Sequence, residues 1–236
     1  MRDLRARATE QELMDDPNIS EIDLKNALVA ISRVNKLLGG NRITIKALER
    51  LFNENPSKKE WTLVDVGCGD GEMLRLIADY FTSKNLHLHL VGFDLSPQSI
   101  AMGKELSDGY PNIDLSVKDI LSVQNDSFEC DIILCTLTLH HFKDQEILKF
   151  MKHFVALAQV AVIINDLQRS KMAYQLFRLF SRIFIKSHIA KNDGLISIAS
   201  AFKKHELKKV AQQLELKHSE ITWKWAFRYL WLIKTL

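Results

Sequence analysis

The stretch VDVGCGDG, residues 64–71, constrains the fold of this chain more than any other part of the sequence. A short apolar run leads into it, and a helical pattern follows it from Met73 to Phe81. Glycines at positions 67, 69 and 71 allow a sharp turn and let a ligand approach the backbone. The N-terminus of the following helix favours a negative group. A strand, a glycine-rich turn and a helix in this order indicate a nucleotide-binding arrangement.

The spacing and the acidic residues of this stretch separate two kinds of ligand. Dinucleotides favour G-x-G-x-x-G, whereas these glycines are spaced one residue more tightly. Asp65 and Asp70 would repel a pyrophosphate, but they suit a ligand that carries positive charge. S-adenosylmethionine is such a ligand, because it has an ammonium, a sulfonium and a carboxylate, and no phosphate.

Strand and helix patterns alternate along the rest of the chain. Serine and proline at positions 96 and 97 are typical of a helix start. The alternation predicts an α/β fold, Rossmann-like, with a seven-stranded, mostly parallel sheet whose last hairpin is antiparallel. The predicted strands are 61–66, 87–93, 113–117, 131–135, 160–164, 216–223 and 227–233.

Four motifs in order resemble the class I S-adenosylmethionine-dependent methyltransferases, over about residues 58–166. The stretch VDVGCGDG is similar to the first motif of that superfamily. The other matching segments are Gly92-Phe93-Asp94, Lys118-Asp119-Ile120 and Cys130 to Cys135, followed by Leu139-His140-His141-Phe142, which resembles the ubiquinone/menaquinone-biosynthesis-type branch.

The resemblance implies S-adenosylmethionine as cofactor and assigns residues to it. Asp65 would contact the amino acid end of the cofactor, Asp94 the ribose hydroxyls and Asp119 the adenine amino group. The remaining predicted cofactor-binding residues are Gly67, Cys68, Gly69, Leu95 and Ile120.

Candidate catalytic residues follow the later strands, where open α/β sheets bind ligands. His140 and His141 are candidates for removing a proton from the acceptor, or else they orient the loop or pack beneath the cofactor. Asp166 ends the fifth strand and either contacts the substrate or caps the next helix. His188 is a third candidate base.

Residues 168–187 carry an apolar stripe at helical spacing, and arginines lie outside it. Three interpretations stay open: a helix packed on the core, a lid over an apolar acceptor pocket, or a helix on a membrane surface. The resemblance favours a lid, at about residues 167–200, with Tyr174 and Phe177 as predicted substrate contacts.

The N-terminal residues 1–56 are predicted to form a helical extension that caps the acceptor pocket, before a methyltransferase domain at 57–236. One helix should carry the apolar stripe Leu24, Leu28, Ile31, Val34 and Leu38. The stretches 12–17 and 37–40 are similar to extensions on bacterial methyltransferases of secondary metabolism.

Composition excludes several other classes of protein. The net charge is only +3 and no basic patch stands out, so we expect no nucleic-acid partner. The charged start is unlike a secretory signal, and no apolar run approaches the roughly 18 residues of a membrane span. Three cysteines without metal spacing suggest free thiols in the cytoplasm. His87 and His89 share a strand face but lack a third ligand, so no metal site is predicted.

These observations predict an enzyme that methylates a small apolar molecule of aromatic or polyketide-like type, with oxygen favoured as the acceptor atom. Carbon methylation of a quinone-type precursor and a non-catalytic cofactor-binding partner protein are the alternatives. The oligomeric state is left open. Amino-methylating enzymes of nucleic acids usually carry an Asn/Asp-Pro-Pro-aromatic motif after the fourth strand, and residues 136–139 do not match it.

Overall fold

A computed structural model describes residues 2–124 and 129–235 of the chain; the outer ends of the two predicted domains, residues 1 and 236, lie outside them. The helices are α1 (Glu21–Leu38), α2 (Gly40–Glu54), α3 (Glu72–Phe81), α4 (Pro97–Leu106), α5 (Asp144–Leu157), α6 (Lys171–Phe184), α7 (His188–Ser200) and α8 (Lys204–Gln213). The strands are β1 (Glu60–Val66), β2 (His87–Asp94), β3 (Ile113–Val117), β4 (Cys130–Thr136), β5 (Ala158–Leu167), β6 (Ser219–Lys224) and β7 (Arg228–Lys234).

The strands form one sheet in the order β3-β2-β1-β4-β5-β7-β6. Strands β1 to β5 pair in parallel, and β7 runs antiparallel to both β5 and β6. The predicted fold class is therefore confirmed. The strand order reverses between β1 and β4, which is where open α/β sheets bind ligands outside the carboxyl ends of their strands.

Strand β6 begins at Ser219, three residues later than the sequence predicted. The N–H of Leu216 still donates to the carbonyl of Ala211, at 3.0 Å, and so completes the C-terminal turn of α8. Glu215 takes a positive φ of 51° within this turn. The apolar Leu216 therefore packs beside the helix end and not in the sheet.

Apolar side chains cover both faces of the sheet, as the β1 residues Leu63 and Val64 illustrate by pointing to opposite sides. Leu63 packs with α2 and α3, and Val64 packs with α5. Both side chains are fully buried, which explains why the strand reads as a continuous apolar run. This packing fixes the carboxyl end of β1, and with it the glycine-rich turn.

Local capping confirms the predicted helix start at Ser96 and shows a similar one at Ser20. Ser20 and Ser96 each accept a backbone N–H three residues ahead, from Asp23 at 3.1 Å and from Ser99 at 3.2 Å. Gly39 ends α1 with a φ of +71°, and α2 starts immediately after it. Helix α2 then packs against the sheet. The predicted domain boundary at residue 56 stays a prediction.

Residues 4–16, here called the N-terminal strap, run across the helices that follow β5. The N–H of Ala8 donates to the carbonyl of Ala199, at 3.0 Å. The buried guanidinium of Arg169 donates to the carbonyl of Leu4, at 3.2 Å. Further along, the N–H groups of Leu13 and Met14 donate to the carboxylate of Asp193 at 2.8 and 3.0 Å. The strap therefore lies against α7.

Helices α6 and α7 occupy the predicted lid segment, residues 167–200. Gly194 of α7 lies so close to the ring of Phe177 that an added Cβ would be 2.3 Å from its Cζ. The outer face of α6 stays apolar and exposed, as Ile183 (69%) and Phe184 (65%) show. Within the described residues, no helix is both long and apolar enough to cross a membrane.

Candidate active site

A single cavity of about 990 Å³ lies at the carboxyl ends of the central strands. Its volume is at the upper end of the range for small-molecule sites. The glycine-rich turn lines one part of it, and His140 with His141 lines another. The apolar stripe of α1 supplies one wall, and Ala173, Leu176, Phe177 and Phe180 of α6 supply a second. The cavity can therefore hold a polar cofactor beside an apolar acceptor.

The glycine-rich turn needs glycine at each of its three predicted positions. Gly67, Gly69 and Gly71 have φ values of +71°, +56° and +76°, which are strained for other residues. An added Cβ on Gly67 would also lie 2.2 Å from Cγ2 of Thr138. The N–H groups of Gly67 and Cys68 both donate to the carbonyl of Phe93, at 2.8 and 3.2 Å. The turn is thus anchored to the end of β2.

Asp65 lies beneath this turn and is 2% exposed. Its Oδ1 atom has no hydrogen-bond partner among the described residues. Burial, and secondarily the nearby carboxylate of Asp94, raises the pKa of Asp65 to about 8. An unpartnered buried carboxylate beside a ligand cavity fits the ammonium of S-adenosylmethionine, which would supply both the missing donor and the opposite charge.

The sequence suggested that Asp70 attracts a positively charged ligand, but in the structure Asp70 pairs with Arg75. Its backbone carbonyl accepts from Arg75, whose guanidinium also lies 3.4 Å from the Asp70 carboxylate. The carboxylate further accepts the N–H of Glu72 at the start of α3, at 3.1 Å. Arg75 therefore balances the charge of Asp70, whereas Asp65 and the nearby Asp94 remain as carboxylates that can attract positive charge at this end of the cavity.

The other predicted cofactor-binding residues line the same part of the cavity. Asp94 accepts the N–H groups of Gly69 and Ser96, both at 2.8 Å, so it holds the turn in place. Asp119 caps a short 3₁₀ turn by accepting the N–H of Leu121, at 2.9 Å. Leu95 is 68% exposed and Ile120 is buried. The structure thus brings this predicted set together, and their roles toward the cofactor stay predictions.

His140 is buried between two carboxylates. Its Nδ1 lies 2.7 Å from Oδ1 of Asp166, and its Nε2 lies 3.4 Å from Oε1 of Glu12. The backbone N–H of His140 also donates to Asp166, at 3.1 Å. Burial opposes the charge on His140, but Asp166 and then Glu12 outweigh it and raise the pKa of the imidazole to about 10. In return, the imidazole holds the pKa of both carboxyls below their usual range despite their burial.

His141 packs against His140, with ring centroids 4.5 Å apart, and its side chain is 28% exposed. Its Nδ1 lies 3.0 Å from Asp15 of the strap. Its Nε2 lies 3.9 Å from the second oxygen of Glu12. Ser197 of α7 donates to the first oxygen of Glu12 and fixes that carboxylate. The strap and the lid segment therefore complete a cluster that starts after β4.

Three predicted site residues are not among those that line the cavity. Asp166 is 1% exposed and lies behind His140, because its two oxygens serve that residue. Tyr174 points away from the cavity, because Ala173 and Phe177 take the inner face of α6. His188 is exposed at the start of α7. Of the predicted substrate contacts, Phe177 alone reaches the cavity.

Sequence reasoning missed Glu12 and Arg228, which both line the cavity. Glu12 belongs to a stretch that resembled known extensions, but nothing in the sequence indicated that it meets residues after β4. Arg228 is buried and donates to Asn35 at 2.7 Å, while burial lowers its pKa to about 10. An added Cβ on Gly40 would lie 2.7 Å from this guanidinium, so the second of the two adjacent glycines gives Arg228 its space.

Comparison with known proteins agrees with this geometry. Residues 63–159 match the family described as methyltransferase domain. Ajmaline N-methyltransferase of Rauvolfia serpentina is 28% identical over 130 residues, which cover 51% of this chain and 42% of that protein. The match thus spans less than half the length of this curated relative.

Solved structures share the fold at low sequence identity. The plantazolicin methyltransferase BpumL, in complex with a triazolic desmethylPZN analog and SAH, is 15% identical with a TM-score of 0.67, over 91% of this chain and 97% of that one. Magnesium protoporphyrin IX methyltransferase (ChlM) from Synechocystis PCC 6803, with bound SAH, is 15% identical with a TM-score of 0.56, over 85% of each chain. The CurJ carbon methyltransferase is 14% identical with a TM-score of 0.65, over 94% of this chain and 62% of that one. The match to the family described as methyltransferase domain is confined to residues 63–159, and the sheet order and the glycine-rich turn agree with it.

Proposed function

We propose that this protein methylates an oxygen atom of a small apolar molecule, of aromatic or polyketide-like type, with S-adenosylmethionine as the methyl donor. One observation carries the proposal: a single cavity joins the unpartnered carboxylate of Asp65 to an apolar chamber that ends at His140 and His141. A methyl transfer needs this arrangement, because donor and acceptor must meet in line and away from water.

On this proposal the chain's own residues hold the cofactor by its polar groups. Asp65 binds the ammonium, Asp94 accepts from the ribose hydroxyls while it holds the turn, and Asp119 accepts from the adenine amino group. When bound, S-adenosylmethionine supplies an electrophilic methyl group on a sulfonium. Gly67 and Gly69 adopt a positive φ and have no side chain, so the cofactor can pass close to the backbone there.

The remaining walls of the cavity support an apolar acceptor. Leu28 and Ile31 of α1 face it from one side, and Phe177 and Phe180 of α6 from another. Burial of an apolar molecule against these side chains excludes water and contributes about 25 cal/mol per Å² of apolar surface removed from water. Polar atoms at one end of the chamber then orient the acceptor hydroxyl toward the methyl group.

Carbon methylation is the second candidate. Methylation of carbon needs a base that removes a proton from that carbon, and the buried pair of His140 and Asp166 is the candidate for this base. The segment Leu139-His140-His141-Phe142 also resembles the ubiquinone/menaquinone-biosynthesis-type branch. A carbon methyltransferase is among the structures that share the fold. The same cavity would serve, since the chemistry differs only in the acceptor atom.

Calorimetric titration with S-adenosylmethionine and with its demethylated product tests the proposal first. We expect micromolar affinity for the wild type and at least tenfold weaker binding for Asp94→Ala, equivalent to about 1.4 kcal/mol. Asp114→Ala is the matched control, because that carboxylate lies at the sheet edge beside His89. Absence of binding by the wild type would overturn the proposal and favour a non-catalytic partner protein.

Incubation with isotopically labelled cofactor and a panel of phenols and quinone precursors then separates the two reactions. Mass spectrometry detects the transferred methyl group, and the carbon chemical shift of that group distinguishes a methoxy from a methyl on carbon. A methoxy product supports the proposal, and a carbon-bound methyl supports the second candidate.

A further inference from the structure

We propose that Glu12, His140 and His141 hold a divalent transition-metal ion, such as Zn²⁺, at the acceptor end of the cavity. The site stands on its own geometry, and only the role of the ion in catalysis rests on the proposed function. No metal site was predicted from the sequence, and Glu12 is remote from His140 and His141 along the chain. The fold brings these three residues together at the cavity wall.

The ligand atoms lie at separations that suit a metal. Nε2 of His140 lies 3.4 Å from Oε1 of Glu12, and Nε2 of His141 lies 3.9 Å from Oε2. Tetrahedral Zn²⁺ binds such atoms at about 2.0 to 2.2 Å, which places its ligands about 3.4 Å from one another. Among residues 2–124 and 129–235, this is the only group of three histidine, cysteine or acidic residues whose ligand atoms all lie within 4.8 Å of each other.

Two carboxylates orient the imidazoles so that their Nδ1 atoms are occupied. Each Nδ1 faces a carboxylate, that of Asp166 for His140 and that of Asp15 for His141, at 2.7 and 3.0 Å. An ionised carboxylate only accepts, so each Nδ1 carries a hydrogen and Nε2 is the ring atom left for a metal ion, which displaces any proton held there. Metal-binding histidines almost always donate their other ring N–H to a carboxylate, a backbone carbonyl or a water, and a carboxylate fills that role for both rings here.

The Nε2 atom of His140 faces Glu12 without forming a close hydrogen bond. The side chain is 3% exposed, and this nitrogen has no hydrogen-bond partner among the described residues. A proton shared with Glu12 would draw the two atoms to about 2.7 to 2.9 Å, whereas they lie 3.4 Å apart. Three carboxylates, those of Glu12, Asp15 and Asp166, surround the two imidazoles, so a divalent cation also balances the charge.

All three residues line the cavity, so a fourth ligand can reach an ion held between them from that side. Three protein ligands and one open position are typical of catalytic zinc sites. An acceptor hydroxyl that binds there loses its proton to solvent, because the cation lowers the pKa of a bound oxygen. The oxygen lone pair then forms the bond to the methyl carbon as the carbon–sulfur bond breaks, and the bonding pair stays on sulfur. This route needs no oxidant or reductant.

Metal titration of the full-length, chelator-treated protein tests the site. We expect calorimetry to show one equivalent of Zn²⁺ bound, and Co²⁺ to give the visible absorption of a tetrahedral nitrogen- and oxygen-ligated site. Glu12→Gln and His141→Ala should each weaken metal binding at least tenfold. Asp15→Asn removes the carboxylate that orients His141, and it should weaken metal binding by about 10- to 100-fold. His89→Ala, which changes an exposed histidine near the start of β2, is the matched control and should bind as the wild type does.

Two results would overturn the inference. One is absence of stoichiometric metal binding, and the other is equal binding by the wild type, Glu12→Gln and His141→Ala. Thermal unfolding of each variant confirms that it is folded before the comparison. Affinity for S-adenosylmethionine should be the same in Glu12→Gln as in the wild type, so failure of the metal site is distinguishable from failure of the methyltransferase proposal. Full turnover by chelator-treated protein would refute the catalytic role while leaving that proposal intact.

Discussion

The cavity has two halves, which we propose hold the cofactor and the acceptor and call the cofactor half and the acceptor half, and they are built in different ways. The cofactor half comes from short stretches at the ends of neighbouring strands, residues 65–71 and 94–96, which meet through backbone hydrogen bonds. In the acceptor half, Leu13 bonds to Asp193 and Ser197 bonds to Glu12, across 180 and 185 residues respectively. The first half can therefore be recognised from sequence, whereas the second is a product of the assembled fold.

Gly67→Ala should have the largest effect and should damage the cofactor half. The new Cβ would meet Thr138 at a positive φ, which together cost about 3 kcal/mol in strain and overpacking. We expect affinity for S-adenosylmethionine to fall at least about 100-fold (about 2.7 kcal/mol) in calorimetry. Gly109→Ala is the control, because an added Cβ there meets nothing within 4 Å. Equal affinities would show that the turn does not shape the cofactor site.

Arg7→Met should detach the strap and affect the acceptor half. Arg7 donates to the carbonyls of Ser200, His140 and Phe142 at 2.7 to 3.0 Å, and stacks on Phe202 at 4.4 Å. Loss of these contacts should lower the free energy of unfolding by about 2 to 3 kcal/mol in denaturant titrations.

Turnover should fall in Arg7→Met while affinity for S-adenosylmethionine stays within twofold of the wild type. Arg5→Met is the matched control, because the exposed side chain of Arg5 pairs with its neighbour Asp3. If Arg7→Met lost cofactor affinity as well, the two halves would not be independent.

Asp65→Asn tests the charge of the cofactor half. The amide keeps the size of the side chain but removes the negative charge that the ammonium needs, so we expect roughly 10- to 100-fold weaker binding of S-adenosylmethionine, or about 1.4 to 2.7 kcal/mol. Binding by the wild type at pH 7 should release a proton, because the pKa of Asp65 is about 8 in the free protein and falls beside a cation. Calorimetry in buffers of different ionisation enthalpy measures that proton.

The same residue gives the free protein a pH dependence of stability. The pKa of Asp65 rises from 3.8 to about 8 on folding, so the folded state binds the additional proton between these values. The free energy of unfolding of the wild type, relative to Asp65→Asn, should therefore decrease as the pH rises from about 4 to about 8. An increase over this window would contradict the burial of an uncompensated carboxylate.

Gly194→Ala should have the smallest effect and should affect only the acceptor half. Alanine stabilises a helix by about 1 kcal/mol relative to glycine. Its Cβ, however, would displace the ring of Phe177, which lines the cavity. We expect the free energy of unfolding to change by about 1 kcal/mol or less, while KM for the acceptor rises and cofactor affinity is unchanged. An unchanged KM would show that Phe177 does not contact the acceptor.

The sequence by itself determined the α/β class, the succession of strands along the chain and the position of the glycine-rich turn. These depend on local rules: apolar runs for strands buried on both faces, glycine where φ is positive, and serine at helix starts. Asp65 and Asp94 could be recognised for the same reason, since Asp65 is the next-to-last residue of β1 and Asp94 is the last residue of β2, both beside that turn.

The tertiary structure alone decided how the acceptor half is assembled. Glu12 meets His140 because the strap crosses α7, and Asp166 serves His140 because β4 and β5 are neighbours in the sheet. Tyr174 and His188 were expected at the cavity, but helix orientation turns both away from it. Long-range contacts of this kind follow from how side chains pack between elements, and a residue pattern along the chain carries no record of that packing.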